Sequence, residues 1–268
     1  MKLVALARVP AEREAAARAV AGAAGLTLAE ARMRLAPEPP ALVARLEAEV
    51  ADALVAALRK EGLAALALAL PVPSDADRLP VRSFDLAAGG ALFTSRAGDA
   101  LEVPWPEILA VLRGLRATRR DAERTEKTRK LSLAGMAATG GLPLSRTTSQ
   151  TVRSSEESVE QVVLVYARDG RAATLAEREV DFSCLGPGMQ PSSTGNMVEI
   201  ARRLRERAPA AFHDERLLRL GRRPLPFIAP SESRAQTRTL VETRTDTAGS
   251  LDALAEVMRR ALLENLLP

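Results

Sequence analysis

One cysteine and one histidine are all that the 268 residues contain of those types. An internal disulfide is therefore impossible, and no Cys/His set exists from which to build a zinc site. Aromatic residues make up only 3% against 47% hydrophobic overall, so Ala, Leu and Val must build the cores. Long apolar runs are missing too: the longest, Leu63 to Leu70, covers eight residues, where a membrane helix needs roughly 20. The opening "MKLVALARVP" is cut by Arg8 and Pro10, too short for a signal-peptide core. These absences together point to a cytoplasmic protein with no membrane association and no cofactor.

Lysine is scarce as well, 4 residues against 34 arginines. The net charge is +4; it divides into −1 over residues 1–103 (12 basic, 13 acidic) and +5 over the rest (26 basic, 21 acidic). Two arginine sets offer a nucleic-acid reading: Arg113, Arg116, Arg119, Arg120 and Arg124, and Arg202, Arg203, Arg205 and Arg207. Both are interleaved with acids and lack a helix-turn-helix, zinc-finger or aromatic-basic signature. A nucleic-acid-associated basic protein stays an alternative.

What is present is a series of short elements. "KLVALAR" reads as a strand, and Glu12 to Ala24 as a helix closed by Gly25. Thr27 and Glu30 then form a capping box for a second helix to Leu35. Ala41–Leu46 can be a strand, Glu47–Lys60 a helix with acids first and bases last, and "LAALALAL" a closing strand. The order βααβαβ predicts a two-layer α/β domain with an antiparallel sheet over residues 1–70.

The runs "ARAVAGAAGLTLAEARMRL" and "EAEVADALVAALRKEGLAALAL" resemble the C-terminal domain of the bacterial ribosomal stalk protein. The likeness lies in the Gly-Leu-x-Leu-x-Glu-Ala-Arg core and the element order, over about a quarter of the chain. It implies that fold, and a face on the paired helices that holds a protein partner, in that family the translation GTPases. Arg18 and Arg32 fall at two of the family's basic positions; Ala29 stands where a lysine is expected, and Arg45 replaces a glycine.

Residues 71–80, "PVPSDADRLP", have linker composition. A mostly antiparallel β domain with packed helices is expected over 81–220, giving an α+β chain. It opens with a three-strand meander turning at Gly89-Gly90 and Gly98-Asp99. After Trp105, Pro106 can start a helix with Ile108, Leu109 and Leu112 on one face. The Ser-, Thr- and charge-rich segment from about 117 to 160 reads as a disordered insertion, with Ser132 after a basic pair as a candidate phosphorylation site. Strands resume in "QVVLVYAR", "RAATLAE" and "EVDFSCL", then a helix capped near Ser192 runs to Arg207. This order of strands, insertion, strands and closing helix loosely resembles a pleckstrin-homology-like fold over 81–210. Residues 221–249 read as a flexible linker, and 250–268 as an amphipathic helix with Leu251, Leu254, Met258, Ala261 and Leu262 on one side.

Chemistry would have to use Cys184 and His213, the sole candidates for a nucleophile and its base. A cysteine-dependent hydrolase or transferase is thus one alternative. Against it, Val180, Phe182 and Cys184 share one face of an expected strand, the pattern of a buried small residue, and His213 reads as a solvated helix position beside Asp214 and Glu215. "GPGMQPSS" matches no phosphate-binding glycine motif. The sequence therefore points to a non-enzymatic protein-interaction or regulatory module. Its candidate partner-binding residues are Arg18, Arg32, Leu251, Leu254, Met258 and Leu262; any small-molecule ligand is unspecified.

Overall fold

The strand β1 (Lys2–Arg8) is apolar and buried from Leu3 to Ala7 because both of its faces are covered. Val4 and Leu6 meet the helices α1 (Arg13–Ala24), α2 (Leu28–Leu35) and α3 (Ala48–Lys60). Leu3, Ala5 and Ala7 point the other way, as period-two alternation requires. Flanked by β2 (Ala41–Leu46) and β3 (Ala64–Ala69), β1 is the centre of an antiparallel sheet of order β2-β1-β3. The element order expected for residues 1–70 is the one observed.

The computed structural model describes residues 1–8, 12–36, 38–131, 145–223, 225–228, 231–237 and 240–267. They divide into two compact units. One comprises Met1–Ala117, Val159–Pro230 and Thr247–Pro268; the other, Thr118–Ser158 and Ser231–Asp246.

In the first unit the meander is β4 (Leu79–Leu86), β5 (Gly90–Ser95) and β6 (Ala100–Pro104). Trp105 follows in a short 3-10 turn and donates its indole N–H to the carbonyls of Ala87 and Ala88 at 3.1 Å. The helix expected next is a strand instead, the start of β7 (Ile108–Leu131). Its apolar run is buried on both sides, with Ile108 and Val111 in one core and Leu109, Ala110 and Leu112 in another. Such a run carries no alternation to distinguish it from a helix. The end of β8 (Ser145–Ala167) and β9 (Ala172–Ala176) complete a sheet of order β7-β8-β9-β4-β5-β6, with β10 (Phe212–Asp214) parallel to β7.

Two helices cover that sheet. The helix α4 (Ser193–Arg207), N-capped by Ser192, buries Met197, Ile200 and Leu204 against Phe93, Val163 and Leu175. The opposite face receives α5 (Leu217–Leu220) and α6 (Ala248–Leu263). This last helix is the anticipated C-terminal one, but it is enclosed rather than amphipathic. Leu251, Leu254, Ala255 and Met258 pack on the large sheet, while Val257 and Ala261 pack on Leu3, Ala5 and Leu66 of the small one. The fit is close at Gly114, where an added Cβ would lie 2.5 Å from the Leu251 Cδ1.

The second unit has the strand order β11-β12-β7-β8, with β11 (Ser231–Gln236) and β12 (Leu240–Asp246) forming a hairpin. Thr118–Arg124 pair antiparallel with β12, and β7 and β8 make strand of residues 118–131 and 145–160, so most of the segment expected to be disordered is strand; 132–144 lie outside the described residues. The span expected as a linker, 221–249, likewise contains a hairpin; Thr and Val favour strands even where overall composition is polar. The Arg120–Glu242 ion pair at 2.7 Å lies on directly neighbouring strands.

Replacing Leu254, 1% exposed, with Ala is expected to cost about 2–5 kcal/mol through lost burial and a residual cavity. Leu263→Ala, at a position 44% exposed on the same helix, should cost under about 0.5 kcal/mol. Urea unfolding of the two variants beside the parent chain checks the contrast.

Candidate functional site

The paired helices α1 and α2 are set by their junction. Gly25 takes φ +63°, the left-handed conformation that ends α1. Two residues on, the Thr27 hydroxyl accepts from the Glu30 amide at 3.2 Å, while the Glu30 carboxylate accepts from the Thr27 amide at 2.8 Å. This reciprocal cap starts α2 directly beside α1 and holds the Glu30 carboxyl below its usual pKa.

The geometry brings Arg18 and Arg32 to one exposed patch. Arg32 donates to Glu14 through both Nε, at 3.0 Å, and Nη2, at 2.5 Å. Arg18 lies one helical turn from Glu14, and its charge acts on the same carboxylate. The bond to Arg32 is the main cause of Glu14's lowered pKa. Met33, next to Arg32, is 70% exposed. The patch thus combines two guanidiniums and one carboxylate, and Met33 is exposed on the same helix as Arg32.

The other expected site residues lie elsewhere. Leu251, Leu254 and Met258 are 2%, 1% and 0% exposed, and Leu262 packs against the same core. The side chains of Leu251, Leu254 and Met258 are consumed by packing within the chain, which removes them as partner contacts, while Leu262 is half-buried. Ser132 lies outside the described residues.

The strand expected through Cys184 is a 3-10 segment, Phe182–Gly188, started by Asp181, whose side chain accepts from the Ser183 amide at 3.0 Å. The strand β9 has already ended, and Glu179 and Val180 turn back onto the Ala176 carbonyl. Cys184 is consequently half-buried against the β core rather than sealed inside it. His213 is on β10, not on a helix, and is also half-buried. Its Nε2–H donates to the Ala208 carbonyl at 2.8 Å. Burial chiefly lowers its pKa, against the effect of that hydrogen bond, and the Arg205 charge lowers it further. Among the described residues no hydrogen bond joins Cys184 to His213, and no group of His, Cys, Asp and Glu is clustered to hold a metal.

The arginine sets considered for nucleic acid are largely ion-paired. Arg113 meets Glu215 at 3.0 Å, Arg116 meets Glu160 at 2.8 Å, and Arg119 meets Asp121 at 3.0 Å. Arg202 and Arg203 share Glu199 at 2.7 and 2.8 Å. Most of the positive charge that would face phosphates is thereby offset locally.

Sequence reasoning missed a buried ionic cluster. The segment 71–80 holds a 3-10 turn, Asp75–Asp77, capped by Ser74. It presents Arg78, 5% exposed, to Asp252 of α6 at 2.6 Å and to Asp75 at 3.1 Å. Asp75 also takes Arg116, which continues to Glu160. One turn along α6, Glu256 holds Arg259 through two bonds of 2.7 Å. Arg78 also lies over the Tyr166 ring, 5.7 Å from its centroid. Burial outweighs the attraction of Arg78 and lifts the Asp252 carboxyl to about 6; burial likewise pushes the Tyr166 phenol up to about 12. The available signal was the pair Asp252 and Glu256 at spacing four, which in isolation reads as the solvated face of an amphipathic helix.

No protein-family model, curated protein or solved structure matches the chain.

Removing one member of the buried pair leaves the other uncompensated, so Arg78→Met is expected to cost about 3–5 kcal/mol, whereas Arg78→Met with Asp252→Leu recovers most of it. Because the folded pKa of Asp252 is raised, its favourable contribution is complete below the ordinary carboxylate range and is lost as pH rises through about 6. Without Arg78 that pKa moves higher still, so the Arg78→Met penalty should be smaller at pH 5 than at pH 8. Denaturant midpoints at the two pH values measure this.

Proposed function

We propose that the chain is a non-enzymatic protein-interaction or regulatory module that engages a protein partner through the exposed face of α1 and α2. The observation that carries this reading is the convergence of Arg18 and Arg32 on Glu14, with Met33 exposed on the helix that carries Arg32. Charged side chains together with an exposed apolar residue suit a contact that is steered by charge and closed by desolvation. The resemblance of residues 1–70 to the stalk-protein domain, whose paired helices bind partners, supports the same face. A cytoplasmic setting accords with the single cysteine.

The partner would present an acidic surface with an apolar recess. Glu14 limits how much positive charge is available, so the interface depends on Arg18 and on the outward side of Arg32. Steering of this kind is weakened by salt.

Reversing both charges, Arg18→Glu with Arg32→Glu, tests the reading without disturbing the core. Quantitative affinity capture with the full chain should show a partner recovered with the parent and depleted tenfold or more with the variant, at equal thermal stability. An unchanged set of recovered proteins would contradict it.

A further inference from the structure

The first residues of β10, the end of α4 and the residues at the end of α6 and after it line an open groove of about 500 Å³. Its apolar lining comes from Leu109, Pro209, Phe212, Leu262 and Leu267, and polar surface makes up nearly half of the whole. The polar groups that line it are Arg168, Arg205, His213 and Asn265; no acidic residue lines it among those described.

Both arginines keep donor capacity. Arg168 is exposed, gives Nε–H to the Pro106 carbonyl at 3.2 Å and forms no ion pair among the described residues. Arg205 has a single carboxylate neighbour, Glu215, at 3.7 Å, beyond good hydrogen-bond length and shared with Arg113 at 3.0 Å. His213 uses Nε2–H on Ala208 and leaves Nδ1 as an acceptor. An organic anion entering the groove would therefore meet two cations, of which Arg205 alone has a carboxylate within ion-pair distance.

We propose that this groove binds a medium-sized organic carboxylate, with the carboxylate held by Arg168 and Arg205 and the hydrocarbon body against Leu109, Phe212, Leu262 and Leu267. A planar guanidinium matches a carboxylate through paired N–H donors. The volume lies within the range of about 300–1,000 Å³ typical of small-molecule sites. A neutral ligand of the same shape gains the apolar contact alone; an amine meets repulsion.

His213 is the only histidine in the chain, so its ring resonances are an unambiguous reporter in the groove. Titration of the full chain with sodium octanoate, followed by NMR and calorimetry, should give one saturable site and a progressive shift of those resonances. 1-Octanol should bind at least tenfold more weakly. Arg168→Gln and Arg205→Gln should each weaken octanoate at least fivefold, and Arg168→Lys less, with thermal midpoints recorded to show that each variant is folded. Equal affinity for octanol and octanoate, an unmoved His213 signal at the end of the titration, or parent-like binding by both folded Gln variants would overturn the proposal.

Discussion

The fold depends on the enclosure of one helix. With residues 251–258 of α6 all buried, the helix is apolar or paired around most of its circumference, the condition of a core helix rather than a surface one. It supplies the second face of the small sheet and part of the covering of the large one. Burial on that scale also dictates the electrostatics. Asp252 and Glu256 cannot be taken out of water alone, so Arg78 and Arg259 must accompany them. The placement of Arg78 in turn fixes the 3-10 turn between β3 and β4.

Much of this was legible where one face of an element was sufficient to define it. The capping box at Thr27 and Glu30, the left-handed Gly25 and the charge order along α3 mark the helices of residues 1–70 directly. Ser192 marks the start of α4, for the same reason of local capping. Legibility failed where long-range burial overrode local pattern. Ile108–Leu112 is an apolar run in any secondary structure, and only its two covering cores make it a strand. Residues 181–185 keep period-two apolarity, yet Asp181 caps a 3-10 turn there. Leu251, Leu254 and Met258 mark one buried face of α6, but nothing local announces that Asp252 and Val257 are buried as well.

The same contrast applies to the candidate site. Arg18 and Arg32 could be chosen from sequence, but their meeting at Glu14 depends on the angle set between α1 and α2. The Arg78 cluster joins residues 174 positions apart, and its arginine lies in a segment whose proline content suggests a linker. The groove beside His213 is equally non-local, since Arg168, Arg205 and Leu267 come from three separate elements. With α6 committed to the interior, recognition is proposed instead for the α1–α2 patch and for that groove.

The central claim is that α6 is a structural element that opens only when the first unit unfolds. Native-state amide hydrogen exchange of residues 251–258 tests it most directly. These amides should exchange as slowly as the slowest in β1 and in the Val162–Tyr166 stretch of β8, with the same dependence on denaturant. Exchange within seconds, at a denaturant-independent rate while those strands stay protected, would show a detachable helix and contradict the account.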